Sequence, residues 1–363
     1  MRLLSDIDVF GKRVFVRADL DVPLREAQVR NGERETTNAE VETSTRLVNL
    51  KPTVDWLLEH GASQIIIAGH IDRPSPRLRS GKPVIDPALS TKQLIEPLQK
   101  ILGRKINFVP QVSTQSTPGV EQLDTSGFGE VLLFENLRFW PGEEANDLGF
   151  ARQLASMADV YVNDALSVSH REHASVVALP SLLPHAVGLH LQKEFNVLSE
   201  LLKNPKRPFV AVVGGAKIET KLPVIENLAK FADFVLVGGE LPLEIDKRGT
   251  RFDSKVIVAG LNPQSKDITE ESIDQFRKLI TIASTVAWNG PMGVFEEGYE
   301  NGSLAIAQTI IDSGAYSVVG GGETTEFLAS KNLLSRFSFV SSGGGAMLEF
   351  LAGKSLPGLE ALE

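Results

Sequence analysis

The feature that most restricts the possible folds is an alternation running through both halves of the chain. Short β-branched apolar runs are each followed by a polar or glycine-rich turn, and then by a stretch with helical spacing. In the first half the runs are residues 14–16, 65–68, 131–134 and 160–162; in the second they are 209–213, 234–237, 285–288, 317–319 and 337–340. Helical candidates lie between them, including 51–61 and 90–102, the latter with Ser90 as its N-cap. Strands that alternate with helices form parallel sheets covered on both faces. At 363 residues the pattern outgrows a single core. The predicted fold is therefore α/β: two Rossmann-like, three-layer α/β/α domains with mainly parallel sheets.

The division falls near 186–203. Pro180 and Pro184 punctuate the chain, and residues 189–202 (LHLQKEFNVLSELL) then read as one long helix closed by Asn204 and Pro205. A single helix joining two domains is a natural hinge element. The domains expected are 1–187 and 188–349. Residues 25–45 and 72–86 read as long surface loops.

Composition narrows the function classes. A net charge of −9 opposes non-specific nucleic-acid binding, which needs a basic face. No apolar run approaches the ~20 residues that span a bilayer. The N-terminus meets Asp6 and Asp8 before any hydrophobic stretch, unlike a signal peptide. The absence of cysteine excludes disulfides, thiolate catalysis and Cys-based zinc sites, and fits a reducing cytoplasm.

Ligands of open α/β sheets bind beyond the carboxyl ends of the strands. In the first half those ends carry Arg17, Asp19 and Asp21, then His70 and Arg73, then Arg138, then Asn163, Asp164, His170, Arg171 and His173. Guanidinium and imidazole groups gather at one rim of an acidic protein, which implies a small ligand bearing carboxylate or phosphate. In the second half glycine takes over: Gly214, Gly215, Ala216 and Lys217; Gly238, Gly239 and Glu240; Asn289, Gly290, Pro291, Met292 and Gly293; Gly320, Gly321, Gly322, Glu323 and Thr324; and the run 341–346. Glycine lets backbone approach a ligand, and the helix that follows aims free N–H groups at phosphate. Lys217 and Lys221 lie four apart on the first turn of a predicted helix, where they repel one another and oppose the dipole. A polyphosphate would reverse both effects. Neither a Walker G-x-x-x-x-G-K-[ST] nor a G-x-G-x-x-G is present.

With these residues in view, the chain resembles the phosphoglycerate kinase family. The matching stretches, in family order, are VFVRADLDVPL (14–24), GHIDRP (69–74), ENLRFWPGEE (135–144), ADVYVNDALSVSHREHAS (158–175), RPFVAVVGGAKIETK (207–221), VAWNGPMGVFE (286–296), VGGGETT (319–325) and FVSSGGGAMLEFLAGKSLPGLEAL (339–362). The resemblance implies that 3-phosphoglycerate binds the first domain through Asp19, Asp21, Arg46, His70, Arg73, Arg138 and Arg171. It implies that ADP or ATP with Mg²⁺ binds the second domain. Gly214, Gly215, Lys217, Lys221, Gly238, Gly239, Gly320 and Thr324 would frame that site, with Asn289 and Pro291 lining it. Glu296 would reach the ribose and Glu323 the magnesium. It further implies a cytoplasmic, monomeric glycolytic enzyme whose segment 350–363 packs back on the first domain. Arg46, Lys217 and the amides of Gly321 and Gly322 would stabilise the transferring phosphoryl group.

The departures concentrate on the nucleotide side. Glu240 stands where the family has a third glycine, and the helix expected next is replaced by the short LPLEIDKRG. Residues 267–272 replace a Gly-Pro-Lys-Thr loop, and the chain is short between 240 and 284. Glu323 replaces an aspartate, Asp21 an asparagine, and Leu166 and Ser167 a Phe-Gly pair. Two alternatives keep the fold: a different phosphoryl donor, or a non-catalytic protein that binds phosphoglycerate.

Overall fold

The computed structural model describes residues 1–22, 29–30, 33–34, 44–74, 85–111 and 129–363. Most of both predicted surface loops, 25–45 and 72–86, lies outside the described residues. The chain forms two compact units: Met1–Lys193 with Leu356–Glu363, and Glu194–Ser355. From sequence the divisions were drawn slightly earlier, at 187/188 and 349/350. The helix Leu189–Lys203 carries the chain from the first unit into the second.

Besides a two-stranded antiparallel pair, Val29–Arg30 with Glu33–Arg34, the first unit has one six-stranded sheet among the described residues: β1 (Arg13–Arg17), β2 (Gln64–Ala68), β3 (Ile106–Val109), β4 (Glu130–Phe134), β5 (Val160–Asn163) and β6 (His185–Val187). These six pair in parallel, in the order β3-β4-β2-β1-β5-β6. Val14, Phe15, Val16, Ile65, Ile66, Ile67 and Val160 to Val162 are almost wholly buried, as the central strands of a sheet covered on both faces must be. Helix α1 (Thr45–Glu59) buries Leu47, Leu50, Val54 and Leu57 on one stripe. It begins earlier than the predicted 51 because this stripe holds the turn before Pro52. Ser90 accepts from the Lys92 N–H as an N-cap should, but it caps a 3₁₀ turn, Thr91–Leu94, and α2 (Ile95–Leu102) follows.

The second unit repeats the plan with β7 (Phe209–Val213), β8 (Phe234–Val237), β9 (Val256–Val258), β10 (Thr285–Asn289), β11 (Tyr316–Gly320) and β12 (Phe339–Ser341), parallel in the order β9-β8-β7-β10-β11-β12. The helices that matter below are α3 (Ile218–Phe231), α4 (Leu241–Arg248) and α5 (Gly322–Ser330). The short LPLEIDKRG stretch thus keeps a helix of eight residues, ended by Gly249 in the left-handed conformation.

Strand order locates the crevices. The first sheet reverses direction of growth between β1 and β5, the second between β7 and β10. Chains leaving the strand ends there go to opposite faces, which opens a cleft at Arg17 and Asn163 in one unit and at Val213 and Asn289 in the other.

Candidate active site

In the first unit, the segment after β1 turns back across the strand ends. Asp19, 5% exposed, accepts from Arg46 Nη1 at 3.0 Å and from the Asp21 N–H at 3.3 Å through the same oxygen, Oδ1. Its other oxygen, Oδ2, is buried without a hydrogen-bond partner among the described residues. A buried acceptor beside a guanidinium suits a ligand that brings both an anion and a hydroxyl. Asp21 Oδ1 accepts from the Asp72 N–H at 2.8 Å, and its Oδ2 lies 3.7 Å from His70 Nε2. Arg138 donates to the Asp72 carbonyl at 2.7 Å.

The cations crowd one another. Burial first, then Arg17, Arg138, His173 and Arg46, hold the His70 pKa well below its ordinary value. His173 is pushed down to about 3 by burial, then by Arg138, Arg17, Arg171 and His170. Arg138 is lowered by burial and by Arg17 and Arg73, while Glu144 and Asp21 pull the other way. Asp19, Asp21, Arg46, His70 and Arg138 therefore form one connected cluster. The exposed Arg73 and Arg171 lie within electrostatic reach of it. Mutual repulsion of this kind is relieved by an anion.

In the second unit a cavity of about 260 Å³ opens beyond β7 and β10. Its walls include Gly215, Lys217, Lys221, Asn289, Gly321, Gly322, Glu323 and Thr324. Lys217 is the N-cap of α3 and Gly321 that of α5, so two helix N-termini, of 14 and 9 residues, face it with free amides. Lys221 is 7% exposed and donates from Nζ to Asn289 Oδ1. Burial pulls its pKa down to about 8 against the field of Glu323. The Gly290 N–H donates to the buried Thr324 Oγ1 at 2.7 Å, which ties the β10 turn to α5.

Other residues flagged from sequence shape the turns behind this wall. The Gly214 N–H donates to the Asn289 carbonyl, and the Gly215 N–H to that of Pro291, both at 2.9 Å. A Cβ on Gly238 would meet Met292 Sδ at 2.7 Å, and one on Gly320 would meet Met347 Sδ at 2.3 Å. A side chain at either would have to displace a buried methionine, a packing reason for glycine that holds whether or not a ligand is near. Glu296 is exposed on the 3₁₀ turn Phe295–Glu297 and is not part of the cavity wall. Gly344 and Gly345, from the glycine run 341–346 singled out in the sequence, also line the cavity, as do Thr220 and Leu348, which carried no sequence signal.

Two consequences can be measured directly. Gly290 has φ +97°, and a Cβ there would lie 2.1 Å from the Gly214 carbonyl oxygen. Strain and overlap together make Gly290→Ala cost about 3 kcal/mol. Calorimetry should show the second unit's unfolding transition lowered by roughly 5–10 °C. An anion held by Lys221 needs the ammonium form. With its pKa near 8, affinity for a polyphosphate should be level at neutral pH and fall roughly tenfold per pH unit above that value. Titration calorimetry between pH 6.5 and 9.5 reads this sign.

Comparison with known proteins bears on both units. The sequence profile described as phosphoglycerate kinase matches residues 4–250 and 244–354. Its two segments meet at the shortened stretch after β8. A phosphoglycerate kinase of Solibacter usitatus is 36% identical over 404 aligned residues, covering 99% of this chain and 98% of the relative. One of Leptospira biflexa is 35% identical over 408 residues, covering 99% and 98%. Among solved structures, the phosphoglycerate kinase of Coxiella burnetii superposes with a TM-score of 0.77 at 29% identity, covering 99% and 98% of the two chains. That of Pyrococcus horikoshii gives 0.79 at 25% identity, covering 100% and 98%.

Proposed function

The chain belongs to the phosphoglycerate kinase family, and from that membership we propose how its two units divide the reaction. The activity is reversible phosphoryl transfer from 1,3-bisphosphoglycerate to ADP, giving 3-phosphoglycerate and ATP. The first unit takes the phosphoglycerate and the second the nucleotide. The observation that carries this division is that each unit gathers anion-binding groups at its own topological switch point, guanidinium groups in one and helix N-termini with lysines in the other.

In this reading Arg46, Arg73, Arg138, Arg171 and His70 bind the phosphoglycerate anion. Asp19 Oδ2, buried and unpartnered, accepts from its hydroxyl. Gly215, Lys217, Lys221, Asn289 and Thr324 hold the nucleotide phosphates, and Glu296 is assigned to the ribose. The acceptor carboxylate is already an anion, so no general base is required. Catalysis reduces to in-line placement and stabilisation of charge on the equatorial oxygens. Arg46, Lys217 and the Gly321 and Gly322 amides are assigned that role. Among the described residues no group of three or more acidic or histidine side chains could cage a metal. Mg²⁺ takes one or two carboxylates and keeps waters and substrate phosphates, so the single Glu323 on the cavity wall fits an ion that arrives with the nucleotide. Bound there, it would neutralise phosphate charge.

Because donor and acceptor are assigned to different units, transfer requires closure about the connecting helix Leu189–Lys203, which also excludes water. The protein would act as a cytoplasmic monomer. A coupled assay with 3-phosphoglycerate and MgATP tests the reading. Turnover supports it; no turnover together with no ADP binding by calorimetry overturns it.

A further inference from the structure

Arg17 was singled out at the end of β1 and has no place in the assignments above. It has no exposed surface, and neither have Glu143 and Ser175. Buried charge of this kind is weak evidence for stability, because apolar side chains of similar volume usually serve as well. It calls for another explanation.

The guanidinium is held on three sides. Nε donates to Ser175 Oγ at 2.9 Å, Nη1 to the Ala18 carbonyl at 2.6 Å, and Nη2 to His70 Nδ1 at 3.0 Å. Ser175 is itself anchored. Its hydroxyl donates to Glu143 Oε1 at 2.5 Å, its N–H donates to Glu143 Oε2 at 3.0 Å, and its carbonyl accepts from Tyr161 Oη at 2.8 Å. A buried chain of contacts therefore runs Glu143, Ser175, Arg17, His70. It ends at Asp21, whose Oδ2 is 3.7 Å from His70 Nε2.

The direction of this chain is fixed by donor chemistry. Arginine has five N–H donors and no acceptor. The nitrogen of His70 that meets it must be the acceptor and carry no proton, which leaves the ring proton on Nε2. Protonation of the whole ring would set two cationic donors face to face. The other charges around His70 are Arg46 on α1, Arg138 after β4, His173 after β5 and Asp21 after β1. Only Asp21 among them favours a charged ring, and it faces Nε2, not the Nδ1 that meets Arg17.

We propose that Arg17 is a positioning residue: backed by Glu143 through Ser175, it locks His70 as a neutral ring with its proton on Nε2, aimed at the ligand side of the cluster. Until a ligand binds, Asp21 Oδ2 faces that proton; a ligand oxyanion competes for it. This rests on the assignment of the first unit to 3-phosphoglycerate only for the ligand's identity.

Nitrogen NMR of protein labelled at histidine reads the tautomer without any ligand, with His70→Gln used to assign the resonances. The expected result is one neutral form of His70, with Nδ1 unprotonated and Nε2 protonated, from pH 5 to 8. In Arg17→Lys a flexible point donor replaces the fork. His70 should then populate both tautomers, and KM for 3-phosphoglycerate should rise about tenfold while kcat changes less than threefold. Ser175→Ala, a smaller change, guards against misfolding of the first variant and should give the same shift at about a third of the size. A proton on Nδ1, a charged ring within that range, or folded variants with unchanged tautomer and KM would overturn the proposal. Failure of 3-phosphoglycerate to bind the wild type would instead count against the assignment of the ligand, and the tautomer result would stand apart from it.

Discussion

Replacing Lys217 by alanine is expected to lower kcat by a factor of 10² to 10³ while leaving 3-phosphoglycerate affinity within about twofold of wild type. Lys217 is exposed and sits at the N-cap of α3, with backbone contacts that its side chain does not make. Removing the side chain therefore costs the fold little. Lys217 lines the same cavity as Gly321 and Gly322. A cation there strengthens as negative charge spreads over the transferring phosphoryl oxygens, so its loss falls on the transition state more than on binding. Stopped-flow turnover with calorimetry separates the two. A variant that loses 3-phosphoglycerate affinity instead would place Lys217 in the wrong role.

Arg46→Ala should be comparably severe, by a different route. Arg46 Nη1 donates to Asp19 Oδ1 at 3.0 Å, and the Asp19 side chain is 3% exposed. Without it the carboxylate stays buried, with one oxygen unpartnered among the described residues and the other accepting from the Asp21 N–H at 3.3 Å. Leaving such a group unpaired costs on the order of 1–3 kcal/mol. The site also loses positive charge, so Asp19 and Asp21 would face an anionic ligand with less compensation. A fall of about 10³ in kcat/KM for 3-phosphoglycerate is expected, with a measurable drop in the first unit's stability. Arg46→Lys should restore stability more than activity, because a point charge can pair with Asp19 but cannot present a planar fork. Equal recovery of both would argue that Arg46 serves only the fold.

The central strands were legible from sequence because burial on both faces gives unbroken apolar runs, as in 65–68 and 209–213. The three missed strands of the two six-stranded sheets, β3, β6 and β9, all lie at sheet edges. Each has a single neighbouring strand in its sheet, with only a one-residue bridge from Leu3 to Val187 on the far side of β6, so Asn107 in β3 and His185 in β6 can stand within it. Short edge strands do not need the apolar continuity that marks a central one. The candidate site was legible where residue type alone restricts chemistry: guanidinium groups and glycine turns after strands. Burial was not. Arg17 and Arg73 look alike in sequence, yet one is enclosed and the other exposed. The difference arises because Ser175, 158 positions away, and Glu143 close over Arg17. Gly238 and Gly320 illustrate the converse, since packing against Met292 and Met347 favours glycine there without any ligand.

Hydrogen exchange of the free protein, with each ligand added alone, tests the division between the units most directly. 3-Phosphoglycerate should slow exchange at amides around 17–21, 69–73 and 163–173, and MgADP at 214–221, 289–290 and 321–324. Protection of the second set by 3-phosphoglycerate alone, or of the first by MgADP alone, would contradict it.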